Sequence, residues 1–107
     1  MPQQIAGSRE IAVGTNDVLD VAGNLSVRVG RNAASHAAHD QTLSAGKRIV
    51  VNAGDSLELV CGDARILLKK DGTVVIKGKD ISIEGSGRIN VKASGDVVIK
   101  GSKVTQN

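Results

Sequence analysis

Three near-copies of an eight-residue unit follow one another between Ile81 and Val104. They read ISIEGSGR, INVKASGD and VVIKGSKV. Each has β-branched residues at its first and third positions, glycine or alanine at the fifth and serine at the sixth. This alternation places the first, third and fifth residues on one face of a strand, and the small residue and serine then mark a corner. Short strands and corners at a fixed spacing predict a β-solenoid or β-helix.

The same period extends back to Arg9. Glycines recur at one position of the eight-residue period and form a glycine column, and Asn or Asp residues recur at another position. The glycines are 14, 30, 46, 54, 62 and 78, and the second column is Asn16, Asn24, Asn32 and Asp40. Both residue types tolerate the backbone of tight corners. We therefore predict a β-helical needle over residues 9–104, with residues 1–8 as a tag remnant or irregular lead-in and 105–107 as a C-terminal tail.

The apolar series changes phase after Gly62. Ile66 and Leu68 come one residue later than the period requires, and the series returns to its first phase at Ile81. Because a one-residue slip reverses every side chain of a strand, the extra residue must be absorbed between strands. We predict β-bulges near residues 62–65 and 78–80.

The regularly spaced apolar residues of such a chain form a stripe that must be packed against other residues. The chain has no Phe, Tyr or Trp, and one strand with one corner cannot bury an apolar face by itself. Three chains wound together would each supply one wall per layer and leave the walls without free edges. The predicted fold class is therefore all-β: an intertwined homotrimeric triangular β-helix, or β-prism needle, built from octapeptide repeats. The predicted trimer core consists of Val27, Val29, Val51, Leu57, Leu59, Ile66, Leu68, Val74, Ile76, Ile81, Ile83, Ile89, Val91, Val97 and Ile99.

Composition argues against several function classes. The net charge of +3 is spread along the chain and no aromatic side chain is present to stack on bases, so we expect no nucleic-acid partner. A single cysteine excludes an intramolecular disulfide. No apolar run is long enough to cross a bilayer as a helix, and we see no signal peptide. No carboxylate pair has a nucleophile beside it, so we predict no enzyme, no catalytic residue and no cofactor.

The octads resemble a known family. Their Ile/Val-x-Ile/Val-x-Gly rhythm, the segment LLKKDGTVVIKG at residues 67–78 and the segment ISIEGSG at residues 81–87 are similar to the C-terminal β-helix of VgrG. VgrG is the spike protein of type VI secretion systems. The octads are also similar to the needle of central spike proteins in contractile phage tails.

The resemblance implies a structural cell-puncturing spike that transmits thrust through a target membrane. It implies a PAAR-repeat protein as the cap of the C-terminal tip, and a secretion tube joined through N-terminal domains that are absent here. It also implies export through the contractile apparatus without a cleaved signal, with the tip of the tube in the cytoplasm before firing. No effector domain follows Asn107 in this sequence, and we interpret the chain as a fragment.

The tip is the predicted partner-binding surface. The last layer of a β-helix has unpaired strand backbone and an open apolar end, which suits a docking cap. The tip residues are Val97, Ile99, Gly101, Ser102, Lys103 and Val104.

Other polar residues have simpler explanations. His36 and His39 fall on an outward phase and in a corner, so we expect exposed side chains rather than a metal site. Cys61 lies on an inward phase and is expected as a small buried apolar residue. Ser35 and Gln41 also lie on inward phases, where a trimer has room for axial water or an ion. We expect aspartates that follow corner glycines, namely Asp55, Asp63 and Asp96, to cap turns.

Two alternatives remain open at this point. A phage tail needle has the same architecture and differs in its genomic neighbours and its cap. A single-chain β-solenoid enzyme or adhesin would be monomeric and would bind carbohydrate in a groove, usually lined with aromatic residues.

Overall fold

The regular secondary structure is a three-stranded antiparallel sheet. A computed structural model describes residues 3–107, so Met1 and Pro2 of the predicted lead-in lie outside the described residues. The strands are β1 (Ser56–Cys61), β2 (Ala64–Lys69) and β3 (Val74–Lys77), in the order β1-β2-β3. The all-β fold class is confirmed. We call this sheet the meander.

Bends recur along the rest of the chain at the predicted corners. In the first unit, which runs through Leu43, bends fall at residues 6–7, 14–15, 22–23, 30–31 and 38–39. In the second unit, Ser44–Asn107, they fall at 46–47, 54–55, 79–80, 86–87, 94–95 and 102. The eight-residue spacing of corners is therefore confirmed on both sides of the meander, apart from an interval of seven residues between the bends at 79–80 and 86–87. Outside the segment from Asp55 to Lys77, the backbone pairs with no other part of the described chain.

The meander corrects our expectation of a β-bulge near residues 62–65. Gly62 and Asp63 instead form a two-residue hairpin turn, and Leu57 pairs with Leu68 and Leu59 with Ile66 across it. Across a two-residue loop, odd-numbered residues of one strand share a face of the sheet with even-numbered residues of the next strand. This pairing accounts for the one-residue slip after Gly62. Only Gly62 in this turn has a positive φ, +56°, as the first central residue of a type II′ turn requires.

The second turn joins β2 to β3 over Lys70–Gly72. The Gly72 N–H donates to the Lys69 carbonyl at 3.0 Å, and the Lys69 N–H donates to the Thr73 carbonyl at 2.9 Å. Gly72 has φ +95°. This pattern is that of a three-residue hairpin loop with glycine at the left-handed position. Across this three-residue loop, even-numbered residues of both strands share a face, so Ile66 and Ile76 lie opposite each other.

Replacing Gly62 tests the hairpin. We expect Gly62→Ala to lower the free energy of unfolding by about 1 kcal/mol or more per chain, because an L side chain is strained at positive φ. The matched control is Gly54→Ala, since an added Cβ there meets nothing within 4 Å and Gly54 has no positive φ. That control should stabilise by about 0.4–1 kcal/mol. Urea titration measures both, and equal effects would contradict the assigned turn.

Residues 3–107 form no buried core by themselves. No described residue is buried, and the accessible surface is 11943 Å². A compact monomer of 11.0 kDa exposes about 5,600 Å², roughly half of that value. Among residues 3–107 we find no helix with the length and hydropathy needed to span a bilayer. The apolar surface of this chain therefore stays in solvent unless another chain covers it.

Candidate assembly surface

The predicted core residues are surface residues in the single chain. Leu57 is half-buried against the neighbouring strand, and the other fourteen are exposed. Ile83 is 75% exposed and Val91 76% exposed, for example. Side chains of this kind seldom stand free at such a regular spacing. They form a repeated apolar surface that nothing within residues 3–107 covers.

The geometry at two corners shows which residues lie on the concave side of the bend. Across the bend at residues 38–39, the Gln41 Nε2 amide donates to the Ser35 Oγ at 3.1 Å. Across the bend at 86–87, a Cβ added to Gly85 would lie 2.9 Å from the Ile89 Cγ1. Side chains on the convex side of a bend diverge, so these contacts need the concave side. Ser35 and Gln41 occupy the third and first positions of their octads, and Gly85 and Ile89 the fifth and first, so these four residues lie on the concave side of their bends.

The meander has one apolar face. The register places its apolar side chains in cross-strand pairs, with Ile66 between Leu59 and Ile76, and Leu68 between Leu57 and Val74. The apolar face comprises Leu57, Leu59, Cys61, Ala64, Ile66, Leu68, Val74 and Ile76. It carries no charged residue. Three strands with an apolar face are about the minimum for a sheet that is stable by itself, and nothing within residues 3–107 covers this face.

The opposite face, which we call the charged face, holds the ionic side chains. Arg65 Nε lies 2.6 Å from Glu58 Oε2, with both side chains about half exposed. The register sets Arg65 between Val60 and Lys77. An open groove of about 430 Å³ on this face is lined by residues including Arg65, Lys77 and Lys79. Charge on one face only indicates that the charged face is the one that meets water.

The predicted tip is also exposed. Val97, Ile99 and Val104 are each more than half exposed, and the chain bends at Ser102. A Cβ added to Gly101 would lie 3.5 Å from the Lys103 carbonyl oxygen, so the backbone after the bend passes close to Gly101. The structure therefore places Gly101, Ser102 and Lys103 in one tight segment, with apolar side chains on either side.

The residues weighed as alternative sites are all exposed. His36 lies between bends and His39 in the bend at 38–39. No group of three metal-binding side chains comes together within residues 3–107. Cys61 ends β1 on the apolar face and is exposed in the single chain, so its expected burial depends on a partner.

The chain is similar in sequence to a known spike protein. A segment of 57 residues, 53% of the chain, is 68% identical to the type VI secretion system spike protein VgrG1b of Pseudomonas aeruginosa. The resemblance to VgrG is confirmed. This chain spans 8% of the length of VgrG1b. No family model matches the chain.

The VgrG-like chain contains a hairpin that periodicity alone does not predict. We interpreted residues 62–65 as a corner within continuing octads, yet two apolar runs separated by Gly-Asp are a hairpin signal in their own right. Gly62 falls in the glycine column, so the eight-residue period does not distinguish this hairpin turn from a corner. Gly62 differs from the corner glycines 14, 30, 46 and 54 in its positive φ.

Turn capping in the VgrG-like chain comes from a different aspartate than expected. Within the described residues the capping carboxylate is that of Asp71, whose Oδ1 accepts from the Thr73 N–H at 3.0 Å. Asp55 instead lies 3.6 Å from the Lys70 ammonium. The hydrogen bonds from the backbone and side chain of Thr73 lower the pKa of Asp71 below its ordinary 3.8. The stabilisation by these hydrogen bonds is therefore fully present above pH 3.8 and is lost as the pH falls through the lowered pKa.

Proposed function

We propose that this chain is part of the needle of a type VI secretion spike, assembled as an intertwined homotrimeric triangular β-helix. The similarity to VgrG1b supports the spike role. The observation that carries the trimer is that a chain with regularly spaced corners has no buried residue within its described range. Obligate partners are the usual solution when the exposed apolar surface is this large.

The proposed trimer places the concave face of each octad on the common axis. The hydrogen bond from Gln41 to Ser35 and the position of the Ile89 side chain beside Gly85 support that direction. On this arrangement the unpaired backbone between bends forms hydrogen bonds with neighbouring copies. Ser35 and Gln41 of three chains then form one polar layer on the axis, where water satisfies the remaining donors and acceptors.

The proposed action is mechanical. A continuous network of backbone hydrogen bonds between chains resists bending and shear, so thrust from a contracting tube reaches the tip and drives it through the target membrane. This action requires no catalytic residue and no cofactor. Export occurs with the tube, and N-terminal domains outside this sequence connect the needle to it.

The proposed partner at the C-terminal end is a PAAR-repeat cap. Three copies of Val97, Ile99 and Val104 around the axis present a blunt apolar surface. A partner with three-fold symmetry or pseudo-symmetry fits such a surface. The cap covers apolar area that the trimer itself leaves in solvent.

Calorimetric titration with a PAAR-repeat protein encoded in the same genome tests the proposal. We expect one cap to bind for every three chains. Binding of one cap to each chain, or no binding to any such protein, would contradict the proposed tip. A phage needle predicts binding to a phage cap instead, and a single-chain solenoid predicts no three-to-one ratio.

A further inference from the structure

We propose that the meander is where the three copies first associate, and that its apolar face is the surface through which they do so. This inference rests on the proposed trimer and goes beyond it. It identifies the contact surface within the chain and the order in which the parts assemble. The occupant of the apolar face is the same face of two further copies of this chain.

The meander is the part of the chain that forms without a partner. Within residues 3–107, backbone hydrogen bonds are confined to the segment from Asp55 to Lys77. Its strands are joined by turns of two and three residues, so the contacts are local and form in about 1–10 μs. The octads have no such pairing and become ordered only when other chains supply it. The order of events is therefore meander first and octads afterwards.

The distribution of charge identifies the face and its occupant. Glu58, Arg65 and Lys77 all lie on the charged face, and the apolar face has no charge to steer a polar ligand. Leu57 and Leu59 also continue the inward phase of Ile49 and Val51 at a spacing of eight residues. The chains that cover the octad columns therefore cover the apolar face as well. A second copy is the one partner that fits both surfaces at once.

Starting at the meander also fixes the register of the three chains. Octads that repeat every eight residues accept a neighbour displaced by one whole octad nearly as well as an aligned one. The meander occurs once within the described residues, so it has no displaced match. Three meanders in contact therefore align the octads on both sides before these pair.

Three valine-to-threonine variants of the full chain test the inference. Val74 and Val75 are neighbours in β3 that lie on the apolar and the charged face respectively, while Val51 lies in an octad column. Within one chain Val74 is 58% exposed, Val75 38% and Val51 61%. If the effect of the substitution depended on burial in the single chain, it would be largest at Val75, which is the least exposed of the three. The substitution is nearly isosteric and puts a hydroxyl in place of a methyl group, which matters where the site becomes dry.

Each variant is refolded from urea at several protein concentrations, and trimer formation and dissociation are followed by light scattering. We expect Val74→Thr to slow assembly at least tenfold and Val75→Thr to change it less than twofold. Val51→Thr should leave assembly within twofold of the wild type and speed dissociation at least tenfold, because its contacts form after the rate-limiting step.

Two results with a trimeric wild type would overturn this inference and leave the proposed function intact. Slowing by Val75→Thr as large as that by Val74→Thr would show that the apolar face is not the contact surface. Slowing by Val51→Thr of equal size would show that association begins in the octads. A monomeric wild type would overturn the inference and the proposed trimer together.

Discussion

Ile83→Asp is expected to abolish trimers at neutral pH. In the proposed needle the substitution brings three carboxylates together on a dry axis, where each loses its hydration and repels the others. The cost should exceed about 4 kcal/mol per chain. Val91→Asp, one octad further on, should have the same effect. Size-exclusion chromatography with light scattering measures the loss.

The controls for Ile83→Asp and Val91→Asp are their outward neighbours. Ser82→Asp and Asn90→Asp add the same charge to the same octads and should leave the trimer intact. Burial and repulsion favour the neutral carboxyl on the axis, so its pKa rises and assembly recovers as the pH falls to about 4. Intact trimers of Ile83→Asp at pH 7 would show that the inward positions are assigned to the wrong face.

Val104→Asp is expected to weaken binding of the PAAR-repeat cap by about 100-fold or more, without dissociating the trimer. Val104 is 65% exposed in the chain and is repeated three times around the proposed tip. Loss of an apolar contact at the centre of an interface typically costs 2 kcal/mol or more, which is roughly 30-fold, and a buried charge adds to it. Calorimetric titration with the cap gives the change in Kd.

The matched control at the tip is Val98→Asp. Val98 is 70% exposed, close to the value for Val104, but it lies on the outward phase of the last octad. We expect its Kd to stay within about threefold of the wild type, because a charge at the rim of an interface has little effect on affinity. Equal losses in both variants would indicate that the cap binds the side of the needle rather than its end.

The positions of the corners could be predicted from the sequence because their residue types carry the signal. Gly14, Gly30 and Gly46 recur every sixteen residues, which is two octads, and Ser86 and Ser94 continue the period near the C-terminus. A bend occurs at every one of these positions. Small residues at a fixed interval constrain the backbone locally, so no knowledge of the partner chains is needed to place them.

The meander could not be predicted from the same period. Gly62 falls in the glycine column, and a glycine in that column fits an octad corner as well as a hairpin turn. Which of the two forms depends on whether the following strand, Ala64–Lys69, pairs with the preceding strand of its own chain or with a neighbouring chain. The pairing of Leu57 with Leu68 and of Leu59 with Ile66 shows that the strand pairs within its own chain. The changed phase of Ile66 and Leu68 was the visible sign, and a two-residue loop explains it without a bulge.

Assignment of the candidate tip and trimer core goes beyond what one chain contains. The predicted inward residues are apolar and recur regularly apart from the phase change between Gly62 and Ile81, yet in the single chain all but Leu57 are exposed like their outward neighbours. The hydrogen bond from Gln41 to Ser35 and the position of the Ile89 side chain beside Gly85 distinguish the faces at their own corners. Elsewhere the distinction depends on the neighbouring copies, since they supply the packing that separates inside from outside.

The mass of the protein in solution, measured by multi-angle light scattering across a range of concentrations, tests the central claim most directly. The account predicts a particle of three chains, about three times 11.0 kDa, that persists on dilution because separated chains would expose their apolar columns. A stably folded particle of a single chain would contradict it.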